Sequence, residues 1–82
     1  MSKNYEVVVD VEETGKRIKS LMVENGMSAI DVQKRLNLSV SYGVYKWLWG
    51  MCLPKIDHLV ILADMFDITV DDIIVVKRIK DE

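Results

Sequence analysis

The sequence has very little cysteine, histidine and proline. It contains one residue of each type: Cys52, His58 and Pro54. A single cysteine cannot form an intramolecular disulfide, and one cysteine with one histidine supplies too few ligands for a structural zinc site. Cys52 also lacks the base arrangement that activates a catalytic thiol. We therefore expect no disulfide, no metal site and no cysteine-based catalysis, and His58 is expected on the surface.

Long apolar runs and glycine-rich phosphate loops are also missing. No apolar run approaches the ~20 residues that span a bilayer, and acidic residues interrupt the N-terminal segment in a way that a signal peptide does not tolerate. The five aspartates of residues 57–72 lack the spacing, the glycine and the final glutamate of a calcium loop. We expect a cytoplasmic protein that is not an enzyme, with no cofactor, no small-molecule substrate and no membrane association.

The charge is unevenly distributed along the chain. Half of the residues are apolar and 29% are charged, which is a globular composition, and 82 residues predict one domain over 1–82. The net charge of −2 lacks the basic excess that is usual in nucleic-acid binding. However, residues 28–55 carry four basic residues and one acidic residue, a net charge of +3, whereas residues 56–75 carry five aspartates. The middle of the chain is therefore compatible with a surface that faces DNA.

The two ends of the chain predict β-strands. Tyr5, Val7, Val9 and Val11 alternate with other residues over 5–11, and residues 73–80 are rich in β-branched side chains. Because an isolated apolar strand exposes an unpaired edge, we expect the two segments to form a short two-stranded β ribbon. The strands could pair within one chain or between the chains of a dimer, which makes Tyr5, Val7 and Val9 possible interface residues.

Apolar periodicity predicts five helices between these strands: about 12–25, from Ser28, about 41–49, 56–66, and a short one after Thr69. Expected N-caps are Asp10 or Thr14, Ser28 with Asp31 in a capping box, Ser39 or Ser41, and Thr69. Gly26 and Gly50 should end helices. The expected core residues are Ile18, Leu21, Met22, Ile30, Val32, Leu36, Val44, Trp47, Leu48, Ile56, Leu59, Val60, Ala63 and Phe66.

The second and third helices, at about residues 28–50, form a helix-turn-helix pattern. The predicted outward side of the third helix carries Ser41, Tyr42, Tyr45, Lys46 and Trp49. Tyrosine hydroxyls can bond phosphates or base edges, and a lysine can bond guanine or phosphate. Alternatively, the aromatic side chains cover the rim of the core or form a protein interface. This second interpretation applies most to Trp49 because of its size.

The chain resembles the Cro/cI-type (Xre-like) helix-turn-helix family over roughly residues 14–76. The landmarks, in order, are G-K-R-I-K-S-L, N-G-M-S, R-L-N-L-S, V-Y-K-W-x-x-G, L-P-K-I-D-H-L-V-I-L-A-D-M-F and I-T-V-D-D-I-I. Within the family it resembles the subgroup that contains V-Y-K-W. The resemblance implies an all-α, five-helix, lambda-repressor-like DNA-binding domain. It also implies DNA contacts from Ser28, Ser39, Ser41, Tyr42, Tyr45, Lys46 and Lys55.

Three positions depart from the family pattern. Ala29 replaces a glutamine that often contacts DNA, and Met51-Cys52 replaces a basic loop. Met22 and Leu48 occupy the places of a frequent Arg–Glu pair, so we expect these two apolar side chains to pack near each other.

The function implied by the resemblance is that of a prokaryotic transcriptional regulator. A homodimer would read two half-sites of double-stranded DNA about one helical turn apart. The alternative is a protein-interaction module on the same fold, such as an antitoxin or a scaffold. Ala29, Met51, Trp49 and the negative net charge favour that alternative.

Overall fold

The computed structural model describes residues 5–80, which form five helices and a small two-stranded antiparallel sheet. All five predicted helices and both terminal strands are confirmed. The boundaries differ from the predictions by one or two residues at most helix ends, and the strands are shorter than expected. The elements in chain order are β1 (Tyr5–Val9), α1 (Val11–Glu24), α2 (Ala29–Arg35), α3 (Tyr42–Leu48), α4 (Ile56–Phe66), α5 (Val70–Ile73) and β2 (Val76–Lys80).

The start of α1 is capped by Asp10 rather than by Thr14. The Asp10 carboxylate accepts a hydrogen bond of 3.0 Å from the backbone N–H of Glu13, which ends β1 before residue 11. Thr14 is fully buried, and its hydroxyl accepts a 3.0 Å hydrogen bond from the N–H of Val75. Thr14 therefore attaches the residue that precedes β2 to the side of α1.

The ribbon pairs β1 with β2 of the same chain. Val7 lies opposite Arg78, and Val9 lies opposite Val76. Every described side chain of β2 is exposed, and within residues 5–80 the two strands contact each other far more than they contact any helix. The ribbon therefore extends from the helical part, in a molecule that measures 45 × 24 × 21 Å. The side chain of Tyr5, a predicted interface residue, lies outside the described part.

The helices enclose one apolar core. Its buried apolar members are Ile18, Leu21, Met22, Ala29, Val32, Leu36, Val44, Trp47, Leu59, Leu62, Ala63, Phe66 and Ile73. Leu48 is half-buried and packs against this cluster. Met22 and Leu48 thus belong to the same apolar region, and the burial of Trp47 is confirmed.

Three predicted core residues, Ile30, Ile56 and Val60, are exposed. On α2 the buried stripe is Ala29, Val32 and Leu36, and Ile30 lies about 100° away from Ala29 around the helix axis. On α4 the buried stripe includes Leu62, which the sequence analysis left out. The α4 segment IDHLVILADMF is apolar on most sides, so its periodicity did not identify the buried face.

Side-chain caps and left-handed residues set the connections between helices. The predicted capping boxes are confirmed for Ser28 with Asp31 and for Thr69, whose N3 partner is Asp72. Backbone φ angles of +63° at Gly26 and +73° at Gly50 confirm the two predicted glycine stops. Ser41 occupies the N-cap position of α3, but within the described chain its side chain makes no capping hydrogen bond.

Candidate nucleic-acid interface

Helix α3 is held in place by its buried side. It has seven residues, one of which is glycine, so it is too short to be stable in isolation. Val44 is fully buried, and Trp47 is nearly so. Because no local cap compensates for the short length, the position of α3 depends on packing against the rest of the molecule, mainly against α1.

A glycine on α1 allows this packing. A Cβ atom on Gly15 would overlap the backbone carbonyl oxygen of Trp47 and would lie 3.6 Å from the backbone nitrogen of Gly50. Only a residue without a side chain therefore fits between α1 and the end of α3. The positioning role of Gly15 was not predicted, although a glycine inside a helical segment is a signal for such a role.

The outer side of α3 carries three exposed aromatic rings, Tyr42, Tyr45 and Trp49, which we call the aromatic face. Trp49 is 60% exposed. The rings of Tyr45 and Trp49 stack at a centroid distance of 5.7 Å, and Tyr42 meets Trp49 edge-on at 6.2 Å. Because the rings support one another, they form one continuous surface at a low cost in side-chain entropy.

Lys46 lies at one edge of the aromatic face, and Lys55 lies close to Lys46. The ammonium group of Lys46 is 5.6 Å from the centre of the Tyr42 ring. Lys46 and Lys55 also line the same small pocket of about 210 Å³. His58, which was expected at the surface, is half-buried in this pocket wall, and its ring lies 5.8 Å from that of Trp47. The structure therefore brings two predicted DNA-binding lysines from different segments to one place.

The start of α2 is occupied by its own carboxylate. Asp31 accepts hydrogen bonds from the Ser28 backbone N–H at 2.8 Å and from the Ser28 hydroxyl at 2.9 Å. These bonds, the backbone bond first, hold the pKa of the Asp31 carboxyl below its usual value. Ala29 is buried. The donors of Ser28, a predicted DNA contact, are therefore used within the protein, and a negative charge stands where a phosphate would approach.

The remaining predicted contacts lie on the same part of the molecule as α3. Ser39 is exposed in the connection before α3, and Ser41 is half-buried at its start. Arg35, at the end of α2, forms an exposed ion pair of 3.2 Å with Asp64, which reduces the positive charge that α2 offers. Among the predicted DNA contacts, Lys46 and Lys55 supply the positive charge.

Residues 5–80 contain no group of three or more histidine, cysteine, aspartate or glutamate side chains that could hold a metal ion. No helix in that range is long and apolar enough to cross a membrane. Comparison with protein-family models, curated proteins and solved structures gave no match.

Proposed function

We propose that this protein binds double-stranded DNA through the outer side of α3, as the recognition helix of a lambda-repressor-like helix-turn-helix. The single observation that supports this most is the aromatic face with Lys46 at its edge and with Lys55 in the same pocket as Lys46. It belongs to residues 28–55, which have a net charge of +3 in a chain whose net charge is −2. In this proposal the protein is a prokaryotic transcriptional regulator of the Cro/cI type that acts in the cytoplasm.

The size of α3 suits the major groove. An α-helix with its side chains is about 10–12 Å in diameter, and the major groove is about 12 Å wide. The hydroxyls of Tyr42 and Tyr45 would donate to phosphates or base edges, and Lys46 would donate to a guanine or to a phosphate. Lys55 would contact a phosphate of the DNA backbone beside the groove. Ser39 and Ser41 are proposed as further hydrogen-bonding contacts at the start of the helix.

The contribution of α2 to phosphate binding should be small. In the usual arrangement the first helix of the motif directs its N-terminal amides at a phosphate. Here the Asp31 carboxylate already accepts from Ser28, and like charges repel. We therefore propose that α2 supports α3 sterically and that most of the affinity comes from α3 and Lys55.

Selection of bound duplexes from a random DNA pool, followed by binding at several salt concentrations, tests the proposal. We expect an enriched sequence and an affinity that falls steeply as salt rises. Tyr42→Ala and Tyr45→Ala should each weaken binding to the selected duplex by about 5- to 10-fold, in line with ~1 kcal/mol per lost contact. Val23→Ala, which shortens an exposed apolar side chain of α1, is the matched control. Absence of any enriched sequence would contradict DNA recognition.

A second candidate function is that of a protein-interaction module, such as an antitoxin or a scaffold. The observation in its favour is the exposure of Trp49 together with Met51 and Leu53, since large exposed apolar groups often mark protein interfaces. The selection experiment distinguishes the two functions. A module that binds only proteins enriches no DNA sequence, and its Tyr42→Ala and Tyr45→Ala variants have no DNA affinity to lose.

A further inference from the structure

Within residues 5–80 no third strand pairs with the terminal ribbon, so each strand has one outer edge, and the register shows which backbone groups point outward. The N–H of Asp10 donates to the carbonyl oxygen of Val75 at 2.8 Å, and this pair continues the register that sets Val9 opposite Val76. Bonded positions alternate in an antiparallel ladder. Glu6 and Val8 therefore bond β2, whereas Tyr5, Val7 and Val9 direct their N–H and C=O groups toward the free edge of β1.

The two free edges differ in charge. The five residues of β2, VKRIK, include three cations, and Arg78 and Lys80 direct their backbone groups outward by the same alternation. If β2 paired with β2 of a second copy, two adjacent strands would carry six cations between them, which is unfavourable. Cations on an edge strand are a common protection against such pairing. The β1 edge carries no charge at its outward positions.

The β1 edge also has apolar side chains beside it. Val7, Val9 and Val76 share one face of the ribbon because cross-strand partners point the same way, and Val7 is 48% exposed and Val76 47% exposed. A two-stranded ribbon is marginally stable alone, and additional strands stabilise it. The ribbon is fixed to the helices at its base through Thr14 and Val75, so an added strand would be held in a defined orientation.

We propose that β1 pairs antiparallel with β1 of a second copy of this chain about a two-fold axis at Val7, which gives a four-stranded sheet of order β2-β1-β1-β2. Val7 then lies opposite the Val7 of the second copy, and Tyr5 lies opposite its Val9. The uncharged edges meet, and the cationic β2 strands form the outer edges. This inference goes beyond DNA binding and does not depend on it, because the association needs no DNA.

Sedimentation equilibrium without DNA tests the proposal with matched variants. The wild-type chain should approach twice the monomer mass of 9.4 kDa. Val7→Lys sets two cations opposite each other and should return the mass to that of the monomer. Val76→Lys changes the same residue type at nearly equal exposure on the other strand and should leave the dimer intact. Val7→Pro removes an outward N–H, leaves the bonds to β2 in place, and should also dissociate the dimer.

Each other outcome contradicts the proposal. A monomeric wild-type chain overturns it directly. Dissociation by Val76→Lys with no effect of Val7→Lys assigns the contact to β2. Dissociation by both substitutions indicates face-to-face packing of the ribbon, and dissociation by neither puts the contact elsewhere. Circular dichroism of each variant, unchanged from wild type, shows that the mass change does not come from unfolding.

Discussion

Helices α2 and α3 have the same length but are stabilised in different ways. Each has seven residues. The start of α2 has a complete capping box between Ser28 and Asp31, so its own sequence stabilises it. The start of α3 has no side-chain capping bond within the described chain, and α3 contains Gly43. Two buried side chains and the close approach of Gly15 compensate for these local weaknesses.

The difference concerns the proposed function because α3 carries the proposed recognition surface. The buried side chains of α3 hold it in place, so the side chains on its outer side are not needed for stability. Tyr42, Tyr45 and Trp49 can therefore form an exposed aromatic face. Its position is correspondingly sensitive to changes on α1. Substitutions at the packing contact should therefore affect stability and binding together, whereas substitutions on the outer side should affect binding alone.

The largest effect is expected from Gly15→Ala. The added methyl overlaps a backbone atom, the carbonyl oxygen of Trp47, so α1 and α3 must move apart. We expect a loss of about 3 kcal/mol in the free energy of unfolding, at the upper end of typical overpacking costs because backbone must shift. Urea denaturation measures it. An unfolding free energy equal to wild type would show that α3 does not depend on this contact.

Ser28→Ala should have an intermediate effect on the local stability of α2. It removes the hydroxyl that accepts from the Asp31 N–H at 3.2 Å, and loss of a serine N-cap costs about 1 kcal/mol. The corresponding change at α3, Ser41→Ala, should cost much less because that side chain makes no capping bond within the described residues. Thermal unfolding measures the loss of stability in each variant. Equal losses would contradict the conclusion that a side-chain cap stabilises α2 but not α3.

Gly43→Ala should have a smaller effect of the opposite sign. No described atom outside its own neighbourhood lies within 4 Å of the added Cβ, so alanine improves helix propensity without a clash. The gain should be about 0.5 kcal/mol, less than the full propensity difference because Gly43 lies in the first turn. Gly43→Ala is the matched control for Gly15→Ala. A destabilised Gly43→Ala variant would contradict the expectation that α3 accepts a methyl group at this position.

The smallest effect is the acid sensitivity of the two capping boxes. Hydrogen bonds from Ser28 lower the pKa of Asp31, and those from Thr69 lower the pKa of Asp72. A lowered folded-state pKa gives stability that is present above the unfolded-state value of about 4 and is lost as pH falls through the folded-state pKa. Stability should therefore drop below about pH 4, and the Asp31→Asn, Asp72→Asn double variant should drop less. Urea denaturation at pH 7 and in acid measures the loss of unfolding free energy for the wild type and for the double variant. Equal losses in the two proteins would contradict a role of the capping carboxylates.

The features that the sequence predicted well depend on neighbouring residues. The Ser28–Asp31 box and the glycine stop at Gly50 follow from side chains a few positions apart, and alternation predicted the terminal strands. The expected pairing of the strands followed from the exposure of their edges. These features need no knowledge of which helix packs on which.

The features that were wrong or missed depend on tertiary packing. Leu62 replaces Ile56 and Val60 in the core because α4 is apolar on most sides, so only its neighbours decide which side is buried. Gly15 gained its role from a contact with α3, more than thirty residues away in the chain. The spacing of Tyr42, Tyr45 and Trp49 correctly predicted that they lie on one side of α3, but their stacking also depends on side-chain conformations that spacing does not specify.

The most direct test of the central claim compares two lysine variants in DNA binding at several salt concentrations. Lys46→Ala removes a cation beside the aromatic face, and Lys19→Ala removes an exposed cation from α1. We expect Lys46→Ala to weaken binding to the selected duplex about tenfold and to make the salt dependence shallower by about one phosphate contact per chain, whereas Lys19→Ala should change neither. Equal effects of the two substitutions, or no effect of Lys46→Ala, would contradict the assignment of α3 as the recognition helix.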